Sequence, residues 1–345
     1  MPKAAKFERE LIFYDRSFPL DVFFLENHPD YPQHTHDFSV IVIVAQGNGI
    51  NIVGKEEFPL KVGDVFVLHE RTPHGYRNTK NLSVINVIYD RALLNKVRFD
   101  IAGLPGYQAL FVVEPALHKQ GKFGRHLHLD MEDLGAVKTL AEAMEKELHG
   151  DQPRRPAVRF SERHLTAPDP MAAANGKQGH RFMVMAHFMA LVGLISRCYN
   201  AQPSSESEKI IKIGQAISHM ERHFEEDLDL EELAKMAGMS TRNFYRFFNK
   251  ATKESPHAYL QRLRVMKGAR ILESTDKNVT EAAFACGFND SGYFARQFRR
   301  VLGVSPREFQ AGLKLAPPRG REFAGFDGQR LAAGGRKKKS GADLK

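Results

Sequence analysis

The sequence predicts an α+β protein of several domains, with an antiparallel β barrel or sandwich first and an all-helical unit last. Short β-branched runs separated by Gly, Pro and Asn recur through residues 20–90, which is typical of strands in such a sheet. Residues 209–310 are helical in pattern and contain an internal repeat. The 345 residues also exceed the length of one ordinary core, so about two domains are expected.

Composition narrows the class of protein. Hydrophobic residues make up 42% of the chain and charged residues 26%, as in soluble globular proteins. The two cysteines, Cys198 and Cys286, are too few for a disulfide framework and favour a reduced, cytoplasmic setting. The N-terminus has charges where a signal peptide needs an apolar stretch. The longest apolar run, residues 182–196, is interrupted by His187 and shorter than a bilayer requires, so we expect no membrane role.

The formal net charge of +9 is concentrated towards the C-terminus. Residues 1–208 contain 24 basic and 25 acidic side chains, residues 209–310 contain 17 and 13, and residues 311–345 contain 9 and 3. This asymmetry predicts a polyanion partner for the C-terminal region. We interpret residues 311–345 as a basic disordered tail, whose run at 336–339 is also compatible with simple solvation.

Residues 1–130 form the predicted sheet domain. A β-branched run at 38–45 ends at Gly47 and Gly49, and further apolar runs follow at 50–53, 65–68 and 82–89. Residues 131–202 form a helical region in which two helical patterns, 131–149 and 182–199, flank a Pro- and Gly-rich loop insertion at 150–180. These helices can cover the barrel or pair with a second copy. A stretch at 202–206 is predicted to link them to the domain at 209–310.

The repeat within residues 209–310 has the pattern of two helix-turn-helix units. Capping-box starts at Asp229 and Asn278 are each followed by small and apolar residues and then a glycine, Gly238 or Gly287. The second helix of each unit carries the pattern F-x-R-x-F, and a Ser-Pro pair follows it in both copies. We expect three apolar side chains of each second helix to face the core: Phe244, Phe247 and Phe248, then Phe294, Phe298 and Val301.

The opposite faces of these second helices are predicted to bind double-stranded DNA. Arginine, lysine and other hydrogen-bonding side chains bond base edges and phosphates. The candidate DNA-binding residues are Arg242, Tyr245, Arg246, Asn249 and Lys250 in the first unit and Ser291, Tyr293, Arg296 and Arg300 in the second. A joining helix that starts after Pro256 and runs to about Ser274 would be ~27 Å long, whereas successive major grooves are ~34 Å apart, a gap that some DNA bending would close. The alternative is a pair of ordinary helical hairpins with solvated arginines, which a matched duplication makes less favourable.

Residues 213–310 resemble the DNA-binding domain of AraC/XylS-type bacterial transcription regulators. The resemblance lies in A-x-x-x-G-M-S with F-x-R-x-F, L-x-R-x-R, a helix ending in I-L-E, C-G-F with Y-F-x-R-x-F-R-R, and G-x-S-P-x-E-F. It implies a DNA-binding transcription regulator, more often an activator than a repressor, with RNA polymerase as a partner.

The N-terminal domain is similar to the cupin (jelly-roll) barrel that many such regulators carry as effector domain. The similarity rests on His34-Thr-His36, on Gly63-Asp64 and on Pro73-His74, and the HTHDF and NVIYD segments are also similar to the rhamnose-operon regulators. It implies a small-molecule, sugar-like effector, and we take His34, His36, His74 and Tyr76 as candidate effector-binding residues.

Two other functions compete with this hypothesis. The first is a metal-dependent cupin enzyme fused to a DNA-binding module, because three histidines in a barrel are able to bind a divalent metal. Metal cupins use a glutamate four residues after the second histidine, and Val40 occupies that position here. Neither Asp37 nor Glu70 lies at the glutamate's position in the sequence. We therefore expect no metal, no cofactor and no catalysis. The second is an architectural dimer without a ligand.

The resemblance also implies a homodimer formed through helices beside the barrel. Residues 134–148 are the candidate surface, and their packing onto the chain's own barrel is the alternative. If they form the dimer surface, charged substitutions at Leu140 and Met144 should give folded monomers.

Overall fold

The computed structural model describes residues 5–8, 12–13, 15, 17–96, 101–118, 127–150, 178–201 and 207–315. The predicted linker at 202–206, most of the predicted loop insertion and the tail beyond residue 315 lie outside these residues.

The N-terminal domain contains an eight-stranded sheet built around two long strands. The strands are β1 (Ala5–Phe7), β2 (Leu20–Leu25), β3 (Tyr31–His36), β4 (Ser39–Val53), β5 (Glu56–Leu60), β6 (Asp64–Leu68), β7 (His74–Tyr89) and β8 (Leu127–His128). The long strands β4 and β7 pair antiparallel along almost their whole length. At one end they are flanked by β2 and β6, and at the other by β3 and β5. Among these described strands, only the short β1 pairs in parallel, with β3.

The pairing of β4 with β7 is interrupted by register shifts between Val44 and Ile50. Bulges of this kind bend a strand and increase its twist, so they let the two long strands curve from one half of the sheet into the other. Gly47 lies in this stretch with φ of +75°, and a Cβ there would collide with the backbone of Asn81. The predicted antiparallel barrel is therefore confirmed, and its curvature depends on a backbone approach that needs glycine.

The sheet separates two apolar cores because side chains alternate along each strand. Val40, Val42 and Val44 of β4 lie in the barrel interior with Phe66 and Ile88. The intervening residues of β4 and β6 belong to a second core outside the barrel, which also contains helical residues of the rest of the chain: Ile41, Ile43, Val65 and Val67.

The helices follow the sheet in chain order. They are α1 (Arg91–Lys96), a 3₁₀ turn (Ile101–Gly103), α2 (Pro105–Tyr107), a π-helix (Gln108–Val113), α3 (Glu114–His118), α4 (Met131–His149), α5 (His180–Ala201), α6 (Ser207–Arg222), α7 (Leu230–Met236), α8 (Thr241–Thr252), α9 (Pro256–Ser274), α10 (Val279–Ala285), α11 (Ser291–Leu302) and α12 (Pro306–Leu315). Helix α12 thus extends five residues past the predicted domain end at 310.

Helices α4 and α5 pack against each other and against the outer face of the barrel. The apolar side of α4 is buried within its own chain, with Val137, Ala141 and Met144 fully inaccessible and Leu140 packed at the edge of the same core. The apolar side of residues 134–148 therefore packs onto the chain's own barrel, as the alternative interpretation has it, and a dimer surface on this stretch stays a prediction. A charge at Met144 would be buried in the monomer and would oppose folding.

Helix α5 is longer than its apolar run suggested. Within the described residues it contains the one segment, His180–Tyr199, that is long and apolar enough to cross a membrane. The mean hydropathy of this segment is 1.5, and 44% of it is buried inside the protein. Val184, Phe188 and Ile195 lie in the core beside the barrel. This packing favours a core helix. The sequence argument that the apolar run is too short to cross a bilayer is corrected, because the apolar helical segment has 20 residues.

The C-terminal domain is built from a pair of helix-turn-helix units that α9 joins, and the bounds of α9 match the predicted joining helix. Ser255 caps α9 by accepting a hydrogen bond from the backbone N–H of Ala258, and Pro256 takes the first helical position. Phe244 and Phe248 pack with one half of α9, and Phe294 and Phe298 pack with the other half.

The barrel and the first helix-turn-helix unit are connected by residues 101–118. The π-helix packs on α6, and α3 packs on α8. Gly214 of α6 permits this approach, because a Cβ there would stand 2.6 Å from the backbone oxygen of Pro105. On the other side, the ring Nε2 of His69, just after β6, lies 3.0 Å from the carbonyl oxygen of Phe111 in the π-helix. The barrel and the first unit therefore share one continuous core.

Candidate nucleic-acid interface and barrel site

The first candidate DNA-reading helix is α8. Gly238 adopts a φ of +63° in the preceding turn, and the Ser240 side chain caps the helix by accepting from the backbone of Asn243. Phe244 and Phe248 are completely buried, which fixes the rotation of the helix. The predicted DNA-binding residues consequently lie on the outer side: Arg242, Arg246 and Asn249 are exposed, and Tyr245 and Lys250 are half-buried.

Helix α11 repeats this arrangement in the second unit. Gly287 has a φ of +77°, and the Asp290 side chain accepts from the backbone N–H of Tyr293. Phe294 and Phe298 are buried. Arg296 and Arg300 are exposed, and Ser291 and Tyr293 are half-buried.

Two apolar positions are less buried than their spacing predicted. Phe247 and Val301 are half-buried at the edges of their cores. The guanidinium carbon of Arg246 lies 5.6 Å from the centre of the Phe247 ring, within range of a cation–π interaction. The exposed edge of Phe247 therefore supports the side chain of Arg246.

The second unit holds its arginine in a related way. The Arg296 guanidinium carbon lies 5.7 Å from the centre of the Tyr293 ring, and its Nη2 lies 3.9 Å from a carboxylate oxygen of Asp290. Both groups of this ion pair are more than two-thirds exposed, so the pair orients the side chain and adds little stability.

The charge on these faces is of one sign. Helices α8 and α11 each contain three Arg or Lys side chains among their 12 residues and no acidic residue. Side chains of this kind replace the counterions that surround DNA phosphates.

One cation of this surface was not among the predicted residues. An open groove at the C-terminal end of α8 is lined by Arg246, Phe247, Asn249, Lys250 and Lys253. Lys253 ends the helix in a left-handed conformation, with φ of +65°. The available sequence signal was the spacing of three residues between Lys250 and Lys253. Helical periodicity did not place Lys253 on this face, because α8 ends at Thr252.

The arginines of the L-x-R-x-R motif on α9 have structural partners. Arg264 donates from Nε to the carbonyl of Phe224 at 2.6 Å and from Nη2 to that of Glu226 at 2.7 Å. Arg262 donates from Nε to the Glu254 carboxylate at 2.8 Å. Arg264 thus satisfies carbonyls of the chain just after α6, and both arginines have partners within the protein.

The barrel brings the four candidate effector-binding residues together at one end of its interior. The ring centre of His74 lies 4.1 Å from that of His34 and 5.0 Å from that of His36. Tyr76 is buried, and its ring centre lies 4.9 Å from that of His28. His28 precedes β3 outside any recognisable motif, so sequence reasoning missed it.

Burial disfavours the charged form of these imidazoles. It lowers the pKa of His34 to about 4 and that of His74 well below the usual value, and the neighbouring histidines add to the effect at His74. Burial also lowers the pKa of His28 and raises the pKa of Tyr76. His28, His34 and His74 are therefore uncharged at neutral pH.

The donor set does not fit a metal ion. Among the residues described, no group of three His, Cys, Asp or Glu side chains has an arrangement suited to holding a metal. Val40 is buried among apolar residues of the barrel core, where metal cupins have a glutamate. Glu70 accepts a hydrogen bond from Ser39, and Asp37 lies 3.9 Å from the Lys6 ammonium, so each has another contact.

Two matched basic helices joined by α9, together with a barrel that has a histidine cluster at one end of its apolar interior, are the architecture of a ligand-binding transcription regulator. Residues 19–154 match the family model of the AraC-like ligand binding domain, and residues 233–312 match that of a helix-turn-helix domain. The chain is 30% identical over 282 residues to the HTH-type transcriptional activator RhaS of Escherichia fergusonii, covering 82% of this chain and 88% of that protein. It is 29% identical over the same length to RhaS of Enterobacter sp. strain 638, with the same coverage.

The chain therefore belongs to the AraC family of DNA-binding transcription regulators that carry a ligand-binding domain. Among solved structures, the DNA-binding domain of AdpA in complex with a target DNA is 35% identical, with a TM-score of 0.30. The match covers 32% of this chain and 98% of that one. Membership of this family points to regulation rather than catalysis.

Proposed function

We propose that this protein activates transcription by placing α8 and α11 in successive major grooves of one DNA duplex, under the control of a small molecule bound in the barrel. The observation that carries the proposal is the pair of exposed, purely basic helix faces on either side of α9. Activation is the function named for the RhaS relatives, and it implies a contact with RNA polymerase.

Within each face we assign base reading to the central arginine, Arg246 or Arg296. Each is exposed and lies against an aromatic ring that holds it in position. An arginine so held can donate two hydrogen bonds to a guanine edge. The remaining predicted residues contact phosphates or flanking bases and set the register: Arg242, Tyr245, Asn249, Lys250, Ser291, Tyr293 and Arg300.

The effector site proposed for the barrel contains His34, His36, His74 and Tyr76. The route from this site to DNA is the segment at 101–118, since it packs on the barrel through His69 and on α6 and α8. A ligand that favours one placement of this segment would shift the population of DNA-binding conformations.

The domain organisation that we propose follows the sequence: a barrel domain at 1–130, a helical region at 131–202, a DNA-binding domain from 209 to the end of α12, and a basic tail that adds sequence-independent affinity for DNA. The cytoplasm is the proposed location, because DNA and RNA polymerase are there in bacteria.

We also propose a homodimer, with the interface on α5 rather than on α4. Phe182 and Met183 are 76% and 41% exposed, and Ala186 and Ala190 continue the same outer side of the helix. A second copy of this helix would cover the apolar stripe, and the small residues would let the two backbones approach.

The DNA-binding proposal is tested with Arg246→Ala and Arg296→Ala. Genomic footprinting of the intact protein first supplies a bound sequence, and binding to that duplex and to a scrambled duplex is then measured by fluorescence anisotropy. Each substitution should weaken binding to the specific duplex by about 1–3 kcal/mol and relax specificity at one position. Arg77→Ala, in the barrel, is the matched control and should leave both affinities unchanged. Equal losses on the two duplexes would contradict base reading by these arginines.

A further inference from the structure

A turn at the end of β6 links the barrel histidines to the segment at 101–118. The ring Nδ1 of His74 donates to the carbonyl oxygen of Thr72 at 3.2 Å, because a carbonyl oxygen only accepts. The backbone N–H of Thr72 donates to the carbonyl oxygen of His69 at 3.2 Å. The ring Nε2 of His69 donates in turn to the carbonyl oxygen of Phe111 in the π-helix at 3.0 Å. These hydrogen bonds form a continuous path from the histidine cluster to the π-helix.

The turn is also fixed by the residues around it. The backbone N–H of Arg71 donates to the carbonyl oxygen of His36 at 2.8 Å, and Arg71 has a left-handed φ of +62°. A non-glycine residue keeps this conformation only where its surroundings hold it. His69 is buried, and its Nδ1 lies 3.2 Å from Oγ of the completely buried Ser39. The His69 ring is therefore held at both of its nitrogens, so a displacement of the turn moves the ring with it.

The two helix-turn-helix units differ in their contact with this segment. Helix α8 packs against the π-helix and α3, and its Phe244 and Phe248 share one core with Phe111. The helices of the second unit pack on one another and on α9. Within the described residues, their separate core around Phe294 and Phe298 contains no side chain of the barrel or of the segment. A movement of the segment therefore acts directly on α8 and reaches α11 only through intervening elements.

We propose that His69 is a positioning residue for the first DNA-reading helix, through which the state of the barrel controls α8 and not α11. The second unit then binds its part of the DNA site whatever the state of the barrel. This inference rests on the proposed functions of the barrel and of the two reading helices, and it adds the residue that couples them. Without the His69 ring, α8 takes more orientations, so more conformational entropy is lost when DNA orders it.

A double-mutant cycle on DNA binding by the full-length protein tests this assignment. His69→Leu should weaken binding to the footprinted duplex by about fivefold, a size typical of substitutions that alter coupling between sites. In the Arg296→Ala background the same loss should remain, because independent sites are additive. In the Arg246→Ala background the loss should fall to about twofold or less, because it acts through the same helix. His69→Gln keeps a side-chain N–H in reach of Phe111 and should restore the original affinity.

A second variant disturbs the same segment from its other side. A Cβ at Gly214 would stand 2.6 Å from the carbonyl oxygen of Pro105, so Gly214→Ala displaces the segment from α6. It should show the same dependence on Arg246, and it replaces His69→Leu in the cycle if that variant fails to fold. Gly135→Ala is the matched control, because a Cβ there meets nothing within 4 Å, and it should leave the affinity unchanged. Losses that add equally in both arginine backgrounds overturn the proposal.

Amide hydrogen exchange of the full-length protein gives a readout that needs no DNA. His69→Leu should speed exchange in the π-helix and α8 and leave α11 unchanged, because exchange reports local opening. A merely structural role of His69 would speed exchange in β6 and β7 alone, and equal changes in α8 and α11 would show that the units are not controlled separately; either result overturns the proposal. Absence of sequence-specific binding by the unmodified protein would contradict the regulator instead, and hydrogen exchange would still decide the role of His69.

Discussion

Arginine has two different roles in this protein, and the neighbouring groups decide between them. The donors of Arg264 are used by two backbone carbonyls after α6, whereas Arg246 is exposed beside an aromatic ring. The sequence separates these roles because α8 has a clear apolar face opposite Arg246. Helix α9 is buried on several sides, and its periodicity does not show where Arg264 points.

The barrel histidines predict a specific dependence of stability on pH. The folded-state pKa of His34 is about 4, below the value of 6.5 for an unperturbed histidine, because burial disfavours its charged form. Between these values the unfolded chain binds more protons than the native state. The stability contributed by neutral His34 is therefore complete above pH 6.5 and is lost as the pH falls towards 4, by at most about 3 kcal/mol.

Urea unfolding between pH 7.5 and 4.5 measures this loss. His34→Gln should show a shallower decline in the free energy of unfolding than the unmodified protein, while His28 and His74 continue to titrate. His187→Gln, on α5 and outside the barrel, is the control and should keep the original slope. The same slope in all three proteins would contradict the shifted pKa of His34.

At the scale of elements, local signals predicted the DNA-binding half more completely than the sensor. The Ser255-Pro256 pair fixes the start of α9, and Gly238 and Gly287 both adopt the left-handed conformation that the turns require. The segment at 101–118 had no such signal. Its π-helix is set by packing between the barrel and α6, where Gly214 allows backbone contact, so its geometry depends on partners far away in sequence.

Gly268, in the middle of α9, is explained by such a contact. A Cβ at this position would stand 2.8 Å from Cε2 of Phe294 and 3.3 Å from Sγ of Cys286. Helix propensity alone favours alanine over glycine by about 1 kcal/mol. Overpacking of a core costs about 1–3 kcal/mol, and the neighbour here is a completely buried ring. Packing should therefore outweigh propensity.

Gly268→Ala should lower the Tm and weaken the second DNA-reading unit more than the first. Gly135→Ala in α4 is the matched control, because a Cβ there meets nothing within 4 Å and only the propensity gain remains. Calorimetry of both variants measures the change in Tm, which should be negative for Gly268→Ala and positive for Gly135→Ala. A rise in Tm for Gly268→Ala similar to that for Gly135→Ala would mean that Phe294 moves aside without cost.

At the scale of the whole molecule, periodicity did not identify which helix face is left for a second copy. The stripe of α4 is regular, and it is used within the chain to cover the barrel. Helix α5 is apolar around most of its circumference, so no sequence pattern distinguished its buried side from its exposed side. Only the packing of Val184, Phe188 and Ile195 into the core shows that Phe182 and Ala190 face outwards.

The proposed dimer is tested by charges on that outer side. Phe182→Glu combined with Ala190→Glu should give a folded monomer in sedimentation velocity, because the helix core is untouched and a desolvated carboxylate opposes association. Met131→Glu is the matched control: Met131 is as exposed as Phe182 but begins α4, so this variant should remain dimeric. Met144→Glu should instead lose its cooperative unfolding transition. A dimer that persists in the double variant would place the interface elsewhere on the chain, and the exposed stripe of α5 would need another partner.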